Sequence, residues 1–154
     1  MTTATIHASA VLVGAHAALI RGPSGSGKSR LALRLLQAPQ LLFTRLVGDD
    51  RVHIEARNAR LLVRPAAALE GLIEIRGLGI RALPFEPVAA AKWVIDLDAP
   101  DAERLPQDAA TSVSIEGVRL SRLPVAAGAD ALPMLLHALR SGHFGPVTTP
   151  HKAA

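Results

Sequence analysis

Cysteine is absent from the chain, so neither a disulfide nor a thiolate metal site can form. Aromatic residues make up only 3%, leaving few flat rings on which nucleic-acid bases could stack. No apolar run approaches the roughly 20 residues that a membrane-spanning helix needs. The opening Met1-Thr2-Thr3-Ala4 lacks the basic head and apolar body of a secretory signal. These absences point to a cytoplasmic protein without membrane contact. Lysine is scarce too, with 3 lysines against 14 arginines, and the arginines are scattered singly. The net charge of +4 therefore gathers into no run or stripe, and nucleic-acid binding is not expected.

What remains is 154 residues, 49% hydrophobic and 19% charged. That composition excludes the disordered class and suits one globular domain burying roughly two thirds of its unfolded surface. No internal repeat, low-complexity segment or long linker interrupts it.

Ala8 to Val13 and Ala17 to Arg21 read as two strands about Gly14-Ala15, a two-residue turn with glycine at its first central position. The implied register sets Val13 opposite His16, Val11 opposite Ala18, Ser9 opposite Ile20 and His7 opposite Gly22. The period then changes. Leu31, Ala32, Leu35 and Leu36 form the apolar stripe of a helix from about Lys28 to Ala38, which Pro39 ends. A strand-like stretch from Leu41 to Val47 leads to Gly48-Asp49-Asp50. Hairpins are expected about Asn58, between Val52–Ala56 and Arg60–Val63, and about Glu116-Gly117, between Val113–Ile115 and Val118–Leu120. Leu72 to Ile75 reads as a short strand and Trp93 to Leu97 as a buried one. Asp130 caps a last amphipathic helix to Arg140, and the tail from Gly142 is expected to be flexible. The class is mixed α/β with several hairpins, with residues 4–141 as one domain and 142–154 as a tail.

The most informative stretch is Gly22-Pro23-Ser24-Gly25-Ser26-Gly27-Lys28-Ser29, which fits G-x-x-x-x-G-K-[ST] between a strand and a helix. In such a loop the backbone N–H groups and the helix dipole grip phosphate, the lysine reaches the β- and γ-phosphates, and the serine hydroxyl can ligate Mg²⁺. Nucleotide phosphate binding is the direct expectation. Phosphoryl transfer also needs acid, for the metal and for the nucleophile. Asp49 and Asp50 follow the next strand, where an open α/β sheet places its ligand groups. Successive extended residues face opposite sides, so one aspartate is expected to face the metal and the other the acceptor. His7 gains interest only from its register opposite Gly22. In Glu74-Ile75-Arg76-Gly77-Leu78-Gly79-Ile80 a carboxylate and a guanidinium share one face of a strand, followed by glycines suited to a loop closing on phosphate or on a partner's backbone.

Taken in order, these segments resemble the HPr kinase/phosphorylases, specifically their catalytic domain, from about His7 to Arg140. Members carry a histidine fifteen residues before the phosphate loop, as His7 precedes Gly22, and a loop ending in Gly-Lys-Ser, as at Gly27-Lys28-Ser29. They also carry Asp-Asp-Arg-Val, matched by Asp49 to Val52, and a Glu-Ile-Arg-Gly-Leu-Gly-Ile signature, matched without change by Glu74 to Ile80. The resemblance implies the phosphoenolpyruvate carboxykinase-like P-loop fold, commonly assembled as a homohexamer. It implies a serine kinase using ATP and Mg²⁺ on HPr, the small phosphocarrier of the phosphotransferase system. Within it, Lys28 holds the nucleotide phosphates, Ser29 and Glu74, with Asp50, serve the metal, and Asp50 in preference to Asp49 takes the proton from the HPr serine. His7 lines the active site. Arg104, before Leu105, best matches a family arginine, in a loop shorter than usual.

Two departures stand out. The amino-terminal domain of the longer members has no counterpart here, which implies a minimal, catalytic form. A family segment resembling Pro-Val-Arg-Pro-Gly-Arg-Asn, associated with the reverse phosphorolysis, is replaced by Pro124-Val125-Ala126-Ala127-Gly128-Ala129-Asp130. Both arginines are gone, so weak or absent phosphorylase activity is expected. Two rival readings are a small-molecule kinase on the same scaffold and a catalytically silent, nucleotide-binding regulator that docks HPr or a sensor kinase.

Overall fold

A computed structural model describes residues 4–145. The short strand β1 (Ala4–Ile6) leads into β2 (Ala8–Val13) and β3 (His16–Arg21), which pair about Gly14-Ala15 in the expected register. Gly14 takes a φ of 64°, the positive value that its turn requires. The ladder closes at Ala8 with Arg21, so His7 lies in the bend just outside it.

Helix α1 (Lys28–Leu36) buries Leu31, Ala32 and Leu35 and stops two residues before the expected Ala38. Strand β4 (Thr44–Gly48) begins three residues later than Leu41. The apolar residues 41–43 read as strand, but the chain spends them turning back from the helix, with Leu42 fully exposed.

Next come β5 (Val52–Arg57) and β6 (Arg60–Pro65), paired about Asn58-Ala59, and then β7 (Leu72–Ile75) with β8 (Gly79–Ala82). Strand β8 was not expected. A glycine at its start and full exposure hide it, and it exists only as the partner of β7. Strand β9 (Ala89–Asp96) starts four residues before Trp93, because alanines of weak strand preference pair with β6. The hairpin of β10 (Ser112–Ile115) and β11 (Val118–Pro124) precedes α2 (Ala131–Ser141). Asp130 caps α2 by accepting from the Leu132 amide at 3.2 Å. Phe144 is buried and stacks on Trp93 with ring centres 6.3 Å apart, which holds the start of the expected tail on the body. The rest of that tail lies outside the described residues.

The main sheet runs β1-β5-β6-β9-β3-β2-β4. It forks at β9, which pairs antiparallel with β6 through residues 89–91 and parallel with β11 through residues 93–96. Both faces of its centre are covered. Val11, Ala18 and Ile20 face α1 and α2, whereas Ala10, Leu12, Ala17 and Leu19 alternate with them to meet Val52, Ile54, Leu61 and Val63 inside the curl of the sheet. Burial on both faces explains the continuous apolar runs in β2 and β3. Strand β4 runs antiparallel to β2 and hence along β3, and β3, β9 and β11 are mutually parallel. The carboxyl ends of all four strands, at Arg21, Gly48, Asp96 and Pro124, therefore reach one edge, where an α/β sheet gathers ligand groups. No helix among the described residues is long and apolar enough to cross a membrane.

Candidate nucleotide site

Gly22 leaves β3 at that edge, and the loop to Ser29 wraps tightly. The Ser26 amide donates to the Pro23 carbonyl at 3.0 Å, and Gly27 caps α1 in the left-handed region at φ 102°. A Cβ on Gly22 would stand 2.5 Å from Ser26 Oγ and 3.0 Å from Leu97 Cβ, so the close turn admits only glycine there. Lys28 Nζ donates to the carbonyls of Gly22 (2.9 Å) and Pro23 (3.2 Å), which holds the ammonium across the mouth of the loop. The first turn of α1 carries no acidic residue to oppose an anion.

Asp49 arrives from β4 and is buried, 5% exposed. Its carboxylate accepts the Ser29 hydroxyl at 2.7 and 2.9 Å, the Ser9 hydroxyl at 2.6 Å and the Glu74 amide at 3.3 Å. Asp50 is differently placed. It lies in the left-handed region at φ 69°, and the Arg51 amide donates to the Asp49 carbonyl at 2.7 Å across it. Such a three-residue γ-turn is strained, on the order of 1–3 kcal/mol for a non-glycine residue. The two aspartates do diverge, but through this turn: β4 ends at Gly48, so strand alternation is not the cause.

A cavity of about 570 Å³ opens over the loop, and its lining includes Lys28, Ser29, Asp50, Glu74 and Arg76. Ser24, Gly25, Gly27, Arg30, Leu33 and Ile75 complete it. The signature from Glu74 to Ile80 is a hairpin that borders this cavity: Glu74 and Arg76 both line it, but Arg76 does so from the turn after β7 ends at Ile75, so the two do not share a strand face as expected. The structure brings Asp49 onto Ser29, whereas Asp50 and Glu74 reach the cavity wall without touching that hydroxyl. His7, exposed in its bend, stands outside the lining. Arg104 stands exposed on the loop after β9, with no ion-pair partner among the described residues.

Sequence reasoning missed the ties behind the loop. Arg21, the residue before Gly22, grips Asp96 through Nε at 2.7 Å and Nη2 at 2.8 Å. Arg122 joins the same carboxylate at 2.6 Å, and reaches Asp101 at 2.8 and 3.0 Å and the Ala110 carbonyl at 3.0 Å. Burial pushes the Asp96 carboxyl up, and the bonds from Arg21 and Arg122 outweigh it, so the group titrates below its ordinary value. The bond from Arg122 likewise holds Asp101 low. The network clamps the ends of β3, β9 and β11 where the phosphate loop begins. Only the parallel pairing of these strands assembles it, and nothing local in the sequence announces that pairing.

Among the described residues no three histidine, aspartate or glutamate side chains converge as a metal cage. The donors present are the Ser29 hydroxyl and Asp49 carboxylate beside the glycine-rich loop. That hard-oxygen set fits Mg²⁺, which favours one or two protein oxygens and takes the rest of its shell from water and phosphates.

A family model described as HPr Serine kinase C-terminal domain matches residues 1–84. The HPr kinase/phosphorylase of Mycoplasma mycoides subsp. mycoides SC is 38% identical over 78 residues, covering 51% of this chain and 24% of that protein. The match thus spans about a quarter of that relative's length. The structure of the Hpr(Ser) kinase/phosphatase from Coxiella burnetii superposes with a TM-score of 0.73 over 90% of each chain at 22% identity, a likeness of fold. The expected mixed α/β architecture with several hairpins is borne out, and it matches the fold of that kinase/phosphatase. With more than half its length matched by the family model, the chain belongs to the family of the HPr serine kinase C-terminal domain.

Proposed function

We propose that the chain is an ATP- and Mg²⁺-dependent protein kinase that phosphorylates a serine of HPr in the cytoplasm, with residues 4–141 as the catalytic domain and assembly as a homo-oligomer. The observation that carries this reading is the meeting of Ser29 with Asp49 at 2.7 Å, beside Lys28 and beneath a cavity that Asp50 also lines.

In the mechanism, the Lys28 ammonium and the backbone N–H groups of the loop to Ser29 hold the β- and γ-phosphates, except at Pro23, which has no N–H, and Ser26, whose N–H is bonded to the Pro23 carbonyl. Ser29 and Asp49 would hold Mg²⁺, which when bound would supply positive charge against that of the transferring group. Asp50 accepts the proton of the incoming serine hydroxyl while its oxygen bonds to the γ-phosphorus and the bond to the β–γ bridging oxygen breaks, releasing ADP. Positioning and preorganised charge supply most of the rate. Asp49 takes the metal side because it already holds Ser29, and Asp50 takes the proton because it faces the cavity. Glu74 and Arg76 border the acceptor's approach.

Reverse phosphorolysis is proposed to be weak or absent. The segment from Pro124 to Asp130 holds no cation, and Asp130 is engaged as the α2 cap and with Arg34 at 2.6 Å. Incubating phosphorylated HPr with the protein and millimolar phosphate checks this, and rapid pyrophosphate release overturns it.

The deciding experiment mixes the protein with HPr, Mg²⁺ and ATP and locates phosphate on HPr by mass spectrometry. Phosphoserine is expected, and a phosphohistidine product or no transfer would sink the proposal. Arg104 standing off the cavity favours one second reading, a regulator that binds nucleotide and docks HPr without transfer. ATP binding with HPr left unmodified selects it.

A further inference from the structure

Three polar or charged residues are buried among the described ones: Ser9, Asp49 and Glu55. Glu55 is answered by Arg64 at 3.0 Å. The other two answer each other, with Ser9 Oγ donating to Asp49 Oδ1 at 2.6 Å. Ser9 is fully buried on β2, between Ala8 and Ala10, and alternation sets it on the face of Val11, toward α1. An alanine would fill that place without a hydroxyl to satisfy, so the polar atom needs a reason to be there.

Asp49 supplies it. Its carboxylate is held from three sides: by Ser9 on Oδ1, by the Glu74 amide on Oδ2 and by Ser29 on both oxygens. Of the three residues that donate, Ser29 and Glu74 line the cavity and Ser9 does not. Ser9 is paired with Ile20 of β3, one residue before the β2–β4 ladder begins at Ala10 and Gly48, so its place is set by the sheet and by full burial. A charge-assisted bond of this length fixes the rotation of the carboxylate. With the carboxylate so fixed, Ser29 keeps its proton directed to Asp49.

We infer that Ser9 is a positioning residue for Mg²⁺: its buried hydroxyl orients Asp49 and, through it, Ser29. This rests on the proposed nucleotide and Mg²⁺ chemistry of the site but adds a residue that touches neither ligand. Partners of this kind that orient a metal ligand typically change metal affinity by about 10- to 100-fold when removed.

The test needs no HPr. Binding of a fluorescent ATP analogue is titrated with Mg²⁺ in the wild-type protein, Ser9→Ala and Ser9→Thr, alongside binding in EDTA and thermal melting. Ser9→Ala is expected to bind the analogue in EDTA within about twofold of wild type, while the Mg²⁺ concentration giving half of the metal-dependent enhancement rises at least about tenfold. Ser9→Thr, which keeps the hydroxyl, is expected to restore the wild-type midpoint. A folded Ser9→Ala with an unchanged Mg²⁺ midpoint overturns the inference and leaves the proposed function standing. A wild-type protein whose nucleotide binding ignores Mg²⁺ overturns both.

Discussion

The Ser29 hydroxyl lies 2.7 and 2.9 Å from the two oxygens of Asp49, although twenty positions separate the residues in the chain. One comes from the first turn of α1 and the other from the end of β4. Their contact makes a phosphate loop and an acidic turn into one site.

Asp49→Asn and Asp50→Asn should therefore fail differently. The first removes the charge that Ser29 meets, so Mg²⁺-dependent nucleotide binding should weaken. The second should keep that binding and lose about 10²- to 10⁴-fold in phosphoryl transfer, the usual contribution of a general base. Parallel binding and transfer assays on both variants check the split, and identical defects would contradict it.

Lys28→Ala should lower the transfer rate by on the order of 10²- to 10⁴-fold, equivalent to several kcal/mol of transition-state stabilisation. Lys28 bonds only carbonyls of its own loop, so the melting temperature should move little. A variant retaining near-normal kinase activity would remove the lysine from the mechanism.

The carboxylate of Asp96 should make stability depend on pH. Its folded value is depressed, so its contribution is fully present above the ordinary carboxyl value of about 4 and is lost as pH falls through the lower folded value. Asp96→Asn leaves Arg21 and the largely buried Arg122 short of their partner and should cost about 2–3 kcal/mol at neutral pH. Denaturant unfolding of both proteins should show that gap narrowing in acid. A gap that widens there would mean the wrong sign.

Gly22→Ala should destabilise the fold by about 1–3 kcal/mol and weaken nucleotide binding, because the added methyl meets Ser26 Oγ and Leu97 Cβ. Ser26 can rotate away, but Leu97 Cβ belongs to the chain just beyond β9 and moves only with the loop. Wild-type melting together with wild-type affinity would show that the turn relaxes more easily than its contacts imply.

Much of this protein is written locally. The β2–β3 register follows from two turn residues and strand alternation, the first helix from its apolar stripe, and the phosphate loop from glycines that alone allow its turns. Each depends on residues close together in the chain, which is why they are legible without a fold. The partners of the acidic groups are not. Whether Asp49 or Asp50 meets Ser29, that Ser9 stands behind Asp49, and that Arg21 and Arg122 share Asp96 are decided by pairings between distant segments. Those pairings are set by the burial of both faces of the sheet, and that burial is a property of the whole fold.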